Sequence, residues 1–251
     1  MQLTPELTTM VWNPVTGCDQ VSAGCDHCYA LRLSQRLKGF GQEKYQTDGD
    51  PRTSGPGFGV AMHPRSLEQP TRWKRPRVVF VSSMGDLFHA KVPLSFVEDV
   101  FAVMRSTPQH TYWVLTKRSA RVRKLAASLD WPGNLWLGAS VEDERVLHRL
   151  EDLRATPAPV KMLMCEPLLG PLEGLDLHGV DWVTAAGEAG RGCRPLDPSW
   201  VRSLRDQSLA AGVPFYFKQW SGANSRTLGR ELDGREWNEL PLALGATRTS
   251  T

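Results

Sequence analysis

A chain of 251 residues with 41% apolar and 23% charged residues can bury one large core, which excludes a disordered or fibrous protein. The net charge of +3 is too small to mark a nucleic-acid binder by itself. No apolar stretch approaches the ~20 residues of a membrane span, and no basic segment followed by an apolar run opens the chain, so a cytoplasmic protein without a membrane partner is expected. In that reducing setting five cysteines read as metal ligands rather than as a disulfide framework.

In chain order, a possible short strand near Thr9 to Trp12 leads into a loop carrying Cys18, Cys25 and Cys28. A helix from Ala30 to Lys38 follows, stopped by Gly39. Residues 41–77 are rich in Gly, Pro and Arg and read as an insertion or wrapped loop outside the core. Beyond them one pattern repeats. Apolar runs at Val78–Val81, Thr111–Leu115, Leu135–Ala139, Val160–Met164, Asp181–Ala186 and Pro214–Phe217 have the length of strands buried on both faces. Amphipathic helices are expected over Phe96 to Met104, Arg121 to Leu129, Glu142 to Leu153 and Pro198 to Ala211, the last capped by Gly212. A hairpin turning at Asp233-Gly234 and a frayed Gly245 to Thr251 tail close the chain.

Alternating strands and helices predict an α/β fold, a full or partial (β/α) barrel of parallel strands. A doubly wound open sheet is the alternative, and no Gly-x-Gly-x-x-Gly supports it. The expected organisation is a barrel-like domain over 1–220, with 41–77 as its insertion, and a hairpin and tail over 221–251.

Each strand candidate ends in polar residues: Ser82-Ser83-Met84-Gly85-Asp86, Thr116-Lys117-Arg118, Ser140-Val141-Glu142, Cys165-Glu166-Pro167, Gly187-Glu188-Ala189-Gly190 and Lys218-Gln219-Trp220. Parallel strands would gather all of these on one rim, where barrel active sites lie. Lys117, Glu166 and Lys218 are the candidate catalytic residues, since carboxylates and lysines at apolar strand ends need partners or ligands. Each also has a structural reading. Asp86 suits a helix cap, Lys117 and Arg118 could open a solvated run, Glu188 could serve a turn, and Cys165 could be a small core residue. Cys193 reads as a loop thiol, and His89, His110 and His148 lack ligand spacing.

The cysteine loop needs a metal. Zinc would require a fourth ligand; His27, between two of the cysteines, is sterically poor for the same ion, and no second Cys pair is present. Three thiolates suit a [4Fe–4S] cluster with one iron left open.

A three-cysteine loop after the first strand of a parallel barrel resembles the radical S-adenosylmethionine (SAM) superfamily. Most members space the cysteines Cys-x3-Cys-x2-Cys with an aromatic residue before the third; this chain has Cys-x6-Cys-x2-Cys with His27 there. Trp12-Asn13-Pro14, Gly24-Cys25-Asp26-His27-Cys28-Tyr29-Ala30, Ser83-Met84-Gly85-Asp86-Leu87-Phe88-His89, Leu115-Thr116-Lys117-Arg118, Cys165-Glu166-Pro167-Leu168-Leu169-Gly170 and Phe217-Lys218-Gln219-Trp220 resemble, more closely, a family of unknown function. That family was first catalogued from phage genomes and is often described as radical-SAM-like. The resemblance implies that Cys18, Cys25 and Cys28 hold the cluster. Ser83 to Asp86 would lie by the SAM methionyl amine, Ser140 and Glu142 near the ribose, and Gly187 and Glu188 near the adenine. It further implies an enzyme generating a 5′-deoxyadenosyl radical, with an electron donor such as flavodoxin or ferredoxin. Lys117, Arg118 and Lys218 then favour an anionic substrate, a small molecule, a nucleotide or nucleic acid. The alternatives are a zinc or cluster protein with a structural or nucleic-acid-docking role, and a DNA-repair lyase.

Overall fold

The computed structural model describes residues 10–224 and 228–241; Thr9 of the expected first strand and the Gly245 to Thr251 tail lie outside them. The chain begins with β1 (Met10–Trp12) and β2 (Val15–Thr16), passes the cysteines, and enters α1 (Tyr29–Gly39). Within 41–77, β3 (Ala61–Met62) pairs antiparallel with β2. The repeat then runs β4 (Val78–Val81), α2 (Leu94–Ser106), β5 (Thr111–Thr116), α3 (Ser119–Leu125), β6 (Leu135–Ser140) and α4 (His148–Arg154). It continues through β7 (Val160–Cys165), β8 (Trp182–Ala186), α5 (Pro198–Ala210) and β9 (Phe215–Gln219), and closes with the hairpin strands β10 (Glu231–Leu232) and β11 (Arg235–Glu236).

Seven strands form one parallel sheet in the order β1-β4-β5-β6-β7-β8-β9. The order follows the chain without reversal, which rules out the doubly wound alternative. The curled sheet stays open between its edge strands β1 and β9, which makes it a half-barrel, the partial form of the expected α/β barrel.

Both faces of this sheet are apolar, which is why its strands show little alternation in sequence. On the outer face, Val79, Val81, Tyr112, Val114, Leu135 and Leu137 pack on Val97, Val100, Phe101 and Met104 of α2. Farther along, Leu163, Cys165, Val183, Phe215 and Phe217 pack on Val201 and Leu204 of α5. The inner face carries Phe80, Trp113, Trp136, Met162, Met164, Trp182 and Tyr216. Trp113 and Trp136 stack at 5.9 Å with their planes 19° apart, and Trp182 meets Trp113 edge-on at 5.4 Å. Gly138 in β6 makes room among them, since a Cβ there would lie 2.2 Å from Leu115 Cδ2.

Local differences from the sequence reading have physical causes. α4 starts at His148 rather than Glu142, because Asp143 caps a separate turn by accepting from Arg145 N at 3.0 Å. The expected stop at Gly39 falls inside α1. β9 extends through Lys218 and Gln219, which places both inside the strand. α5 has the expected punctuation: Asp197 accepts from Ser199 N at 2.8 Å, Pro198 opens the first turn, and Gly212 follows with φ +67°. Part of 41–77, expected to lie outside the core, reaches the interior. Tyr45 and Phe58 pack with Ala30 and Met84, and Cys18 N donates to Phe58 O at 3.3 Å. The hairpin's Leu232, with Trp237 just beyond it, joins the cluster of Phe215 and Phe217. Residues 237–239 run beside β9, with Phe217 N donating to Trp237 O at 3.0 Å, and so cover that sheet edge. Among the described residues, no helix is long and apolar enough to cross a membrane.

Candidate functional site

Parallel strands deliver their last residues to one rim, and a cavity of about 420 Å³ opens there. Cys18, Cys25 and Cys28 line it from the loop before α1. Ser83 and Asp86 line it after β4, and Lys117 and Ser140 from β5 and β6. Glu166, Gly187, Glu188 and Lys218 complete the lining from the last three strands. One expected residue, Glu142, is not brought to the cavity.

The cysteine loop is held from beneath. Gly17 turns it with φ +82°, and a Cβ there would sit 2.1 Å from Gly59 O, so only glycine fits. Asp19 accepts from Thr53 and Ser54 at 3.0 Å each and pairs with His89 Nε2 at 2.9 Å. Burial pushes the Asp19 carboxyl up, but His89, Ser54 and Thr53 outweigh it and hold it below the usual range. Glu142 explains its own displacement from the expected ribose position. It is 1% exposed, takes an ion pair from Arg149 at 2.9 Å, and accepts from Ser22 Oγ at 2.7 Å. A Cβ at Gly24 would come within 2.3 Å of its Oε1. Glu142 therefore supports the loop from behind.

The three loop thiols are half-buried and not in disulfides. Burial, then the nearby Asp86 carboxylate, pushes the Cys18 thiol up to about 12, against the Arg118 guanidinium, which favours the thiolate. An uncompensated thiolate at this position is thus unfavourable, and a cation or metal is what would hold it deprotonated. Among the described residues no three His, Cys, Asp or Glu side chains converge as ligands of a single ion. Cys165 is fully buried on the outer face, where burial pushes its thiol well up, in keeping with the core reading. Cys193 is a half-buried loop thiol.

The other rim groups are tightly engaged. Lys218 Nζ lies 2.9 Å from Glu166 Oε2, with side chains only 6% and 3% exposed, and Thr184 Oγ1 donates to Glu166 Oε1 at 2.5 Å. Asp86 accepts from Phe88 N and Thr116 Oγ1 at 2.9 Å and from Lys117 N at 3.3 Å, fixing the turn after β5. Lys117 Nζ is 3.7 Å from Glu142, too long for a hydrogen bond. Glu188 pairs with His27 Nδ1 at 2.9 Å and with Arg194. Burial raises the Glu188 carboxyl, but Arg194 and His27 outweigh it and hold it low.

Three residues take part that the sequence reading left without a role at the site. Arg194 ties Glu188 to the cysteine loop, donating to Ala23 O at 2.7 Å and pairing with Asp26 at 3.1 Å. Asn13 Oδ1 accepts from Ser83 Oγ and Met84 N at 3.3 Å each. Ser82 lines the cavity at φ +53° with a buried hydroxyl that has no partner among the described residues. Arg118, expected to face a substrate, instead donates to Asp19 O at 3.1 Å and to Cys18 Sγ at 3.6 Å. Asn13 carried a signal in the Trp12-Asn13-Pro14 block, and Ser82 and Arg118 in the polar strand ends, whereas Arg194 carried none.

Fold and site together define a parallel α/β half-barrel with a three-thiol cavity at the C-terminal ends of its strands. The chain belongs to the family described as Protein of unknown function (DUF5131), which matches residues 4–241. This agrees with the family of unknown function that its sequence blocks resemble. No curated protein matches the chain. Solved structures of spore photoproduct lyase are similar to it. One mutant is 13% identical, with 70% of this chain and 55% of that chain covered and a TM-score of 0.44. The lyase complexed with dinucleoside spore photoproduct is 13% identical, with 77% and 59% covered and a TM-score of 0.41. Another mutant, with bound AdoMet and dinucleoside spore photoproduct, is 12% identical, with 78% and 60% covered and a TM-score of 0.46. The chain thus spans well under two thirds of the length of these structures.

Proposed function

We propose that the protein is an iron–sulfur enzyme of the radical SAM type that acts on an anionic, nucleotide-like substrate. One arrangement carries this reading: Cys18, Cys25 and Cys28 face the same 420 Å³ cavity as Asp86, Glu188 and the buried Glu166–Lys218 pair. Three thiols are the donor set of a [4Fe–4S] cluster with one open iron. The unpartnered Ser82 hydroxyl fits a polar ligand beside them. A cavity of this size is within the ~300–1,000 Å³ typical of cofactor sites.

When bound, the cluster and SAM would supply one-electron chemistry and a 5′-deoxyadenosyl radical. The protein's part is binding and exclusion. Phe80 and Leu115 at the cavity floor back onto the tryptophan layer and keep water out from below. Glu166 and Lys218 neutralise each other, so together they orient a substrate through hydrogen bonds without adding net charge. Among the described residues that line the cavity, Lys117 is a cation able to meet an anion, because its long approach to Glu142 is readily exchanged for a phosphate or carboxylate.

Anaerobic reconstitution tests the proposal. The wild type should take up about four iron and four sulfide per chain with broad visible absorbance, and Cys25→Ala should lose both. Adding SAM and dithionite should then yield 5′-deoxyadenosine. One zinc per chain with no iron after anaerobic purification would overturn the reading, as would a loaded cluster that never cleaves SAM.

A further inference from the structure

Arg118 occupies a position that neither a substrate role nor a solvated surface explains. Its side chain is only 17% exposed, although it follows a strand end at the cavity rim. Its backbone N donates to Thr116 Oγ1 at 2.9 Å, and that hydroxyl in turn donates to Asp86, so the turn is rigid before the side chain departs from it. From there the guanidinium reaches back across the sequence by about a hundred residues. Nη2 donates to Asp19 O at 3.1 Å and to Cys18 Sγ at 3.6 Å. Nε is buried without a hydrogen-bond partner and lies 3.9 Å from Asp86 Oδ2. The Cys18 thiol also donates to Asp19 O, at 3.4 Å. The guanidinium therefore aims N–H donors at both the sulfur and the carbonyl beside it.

We propose that Arg118 is a positioning residue for Cys18, fixing this corner of the bound cluster and making the cluster easier to reduce. The inference rests on the reading that the three cysteines hold a cluster. Two effects act in the same direction. The N–H donated to sulfur withdraws electron density from the ligand, and hydrogen bonds to cluster sulfurs are one determinant of reduction potential. The fixed positive charge also offsets Asp86, whose carboxylate would otherwise oppose an added electron. Arginine suits the task because it stays protonated and its planar fork serves the sulfur and the carbonyl together. The six-residue gap between Cys18 and Cys25 gives this an additional purpose, since Cys18 is tethered less directly to α1 than its partners.

The test compares wild type, Arg118→Met and Arg118→Lys after anaerobic reconstitution. It measures iron and sulfide per chain, melting temperature, and the midpoint of a dithionite titration followed by electron paramagnetic resonance. In that titration dithionite gives one electron and no bond is made or broken. In Arg118→Met the reduction equilibrium should become about tenfold less favourable, a midpoint about 59 mV more negative. Arg118→Lys, with the charge but not the fork, should fall between. A folded Arg118→Met that loads less iron than Arg118→Lys also supports the proposal. Wild-type iron content and midpoint in Arg118→Met overturn it. If Arg118→Met does not fold, Arg118→Lys and Arg118→Gln decide, and unchanged midpoints in both overturn it. A wild type that binds no iron overturns the cluster reading instead, before any variant is made.

Discussion

Replacing Lys218 by methionine keeps the length of the side chain and removes its charge, leaving the Glu166 carboxylate at 3% exposure with Thr184 as its remaining donor. Breaking a buried ion pair from one side costs about 3–5 kcal/mol, because an uncompensated charge stays in a largely desolvated site. At 1.4 kcal/mol per tenfold, that lowers the folded-to-unfolded ratio by about two to four orders of magnitude. Glu166→Gln in the same chain removes the stranded charge while keeping the acceptor for Thr184. The double variant should therefore recover most of the loss, with a coupling of about 2–3 kcal/mol. Urea unfolding followed by tryptophan fluorescence measures this, provided the slope stays constant so that midpoints report stability. A Lys218→Met cost below about 1 kcal/mol, or a double variant equal to the sum of the singles, would refute the claim that the pair is buried and mutually dependent.

Gly24→Ala should reduce iron uptake while leaving the far-ultraviolet circular dichroism unchanged, because its Cβ would come within 2.3 Å of the carboxylate that supports the cysteine loop; unchanged uptake would contradict this. Gly17→Ala meets the backbone of Gly59 at 2.1 Å and requires φ +82°, so it should cost more than about 2 kcal/mol in urea unfolding. Trp136→Ala should cost about 3–5 kcal/mol, since it opens a hole in the inner layer between Trp113 and Trp182. His63 and His110 are held below the ordinary histidine range, both mainly by burial, with Lys44 adding to the effect at His63 and Arg77 at His110. Below pH of about 6.5 the unfolded chain takes up protons at these positions that the folded chain refuses, so stability falls as pH drops through that window. Melting temperatures between pH 7.5 and 5.5 should show the fall, and His63→Gln should flatten it.

The strands were legible because a parallel sheet covered on both faces writes itself as unbroken apolar runs, such as Val78–Val81. The rim was legible for the complementary reason: residues such as Asp86 and Glu166 stand where those runs stop. What was hidden depends on long-range pairing. The apolar strand β9 runs on through Lys218 because the lysine finds Glu166 52 residues away, a partner that no local pattern announces. Glu142 follows β6 like the other rim residues, yet Arg149 pulls it behind the cysteine loop. Residues 41–77 look like a surface excursion by composition. The Gly17 turn draws Phe58 and Tyr45 inward, and local composition does not encode that tertiary closure.

The indoles of Trp113, Trp136 and Trp182 lie directly beneath the cavity floor formed by Phe80 and Leu115. A chromophore held by the thiols above them would drain their excited states by energy transfer, so their emission should dim as the chromophore loads. Under the proposed function the protein would thus carry its own optical gauge of occupancy, readable in real time without a label. Trp113→Phe and Trp182→Phe would show which indole senses the site most strongly.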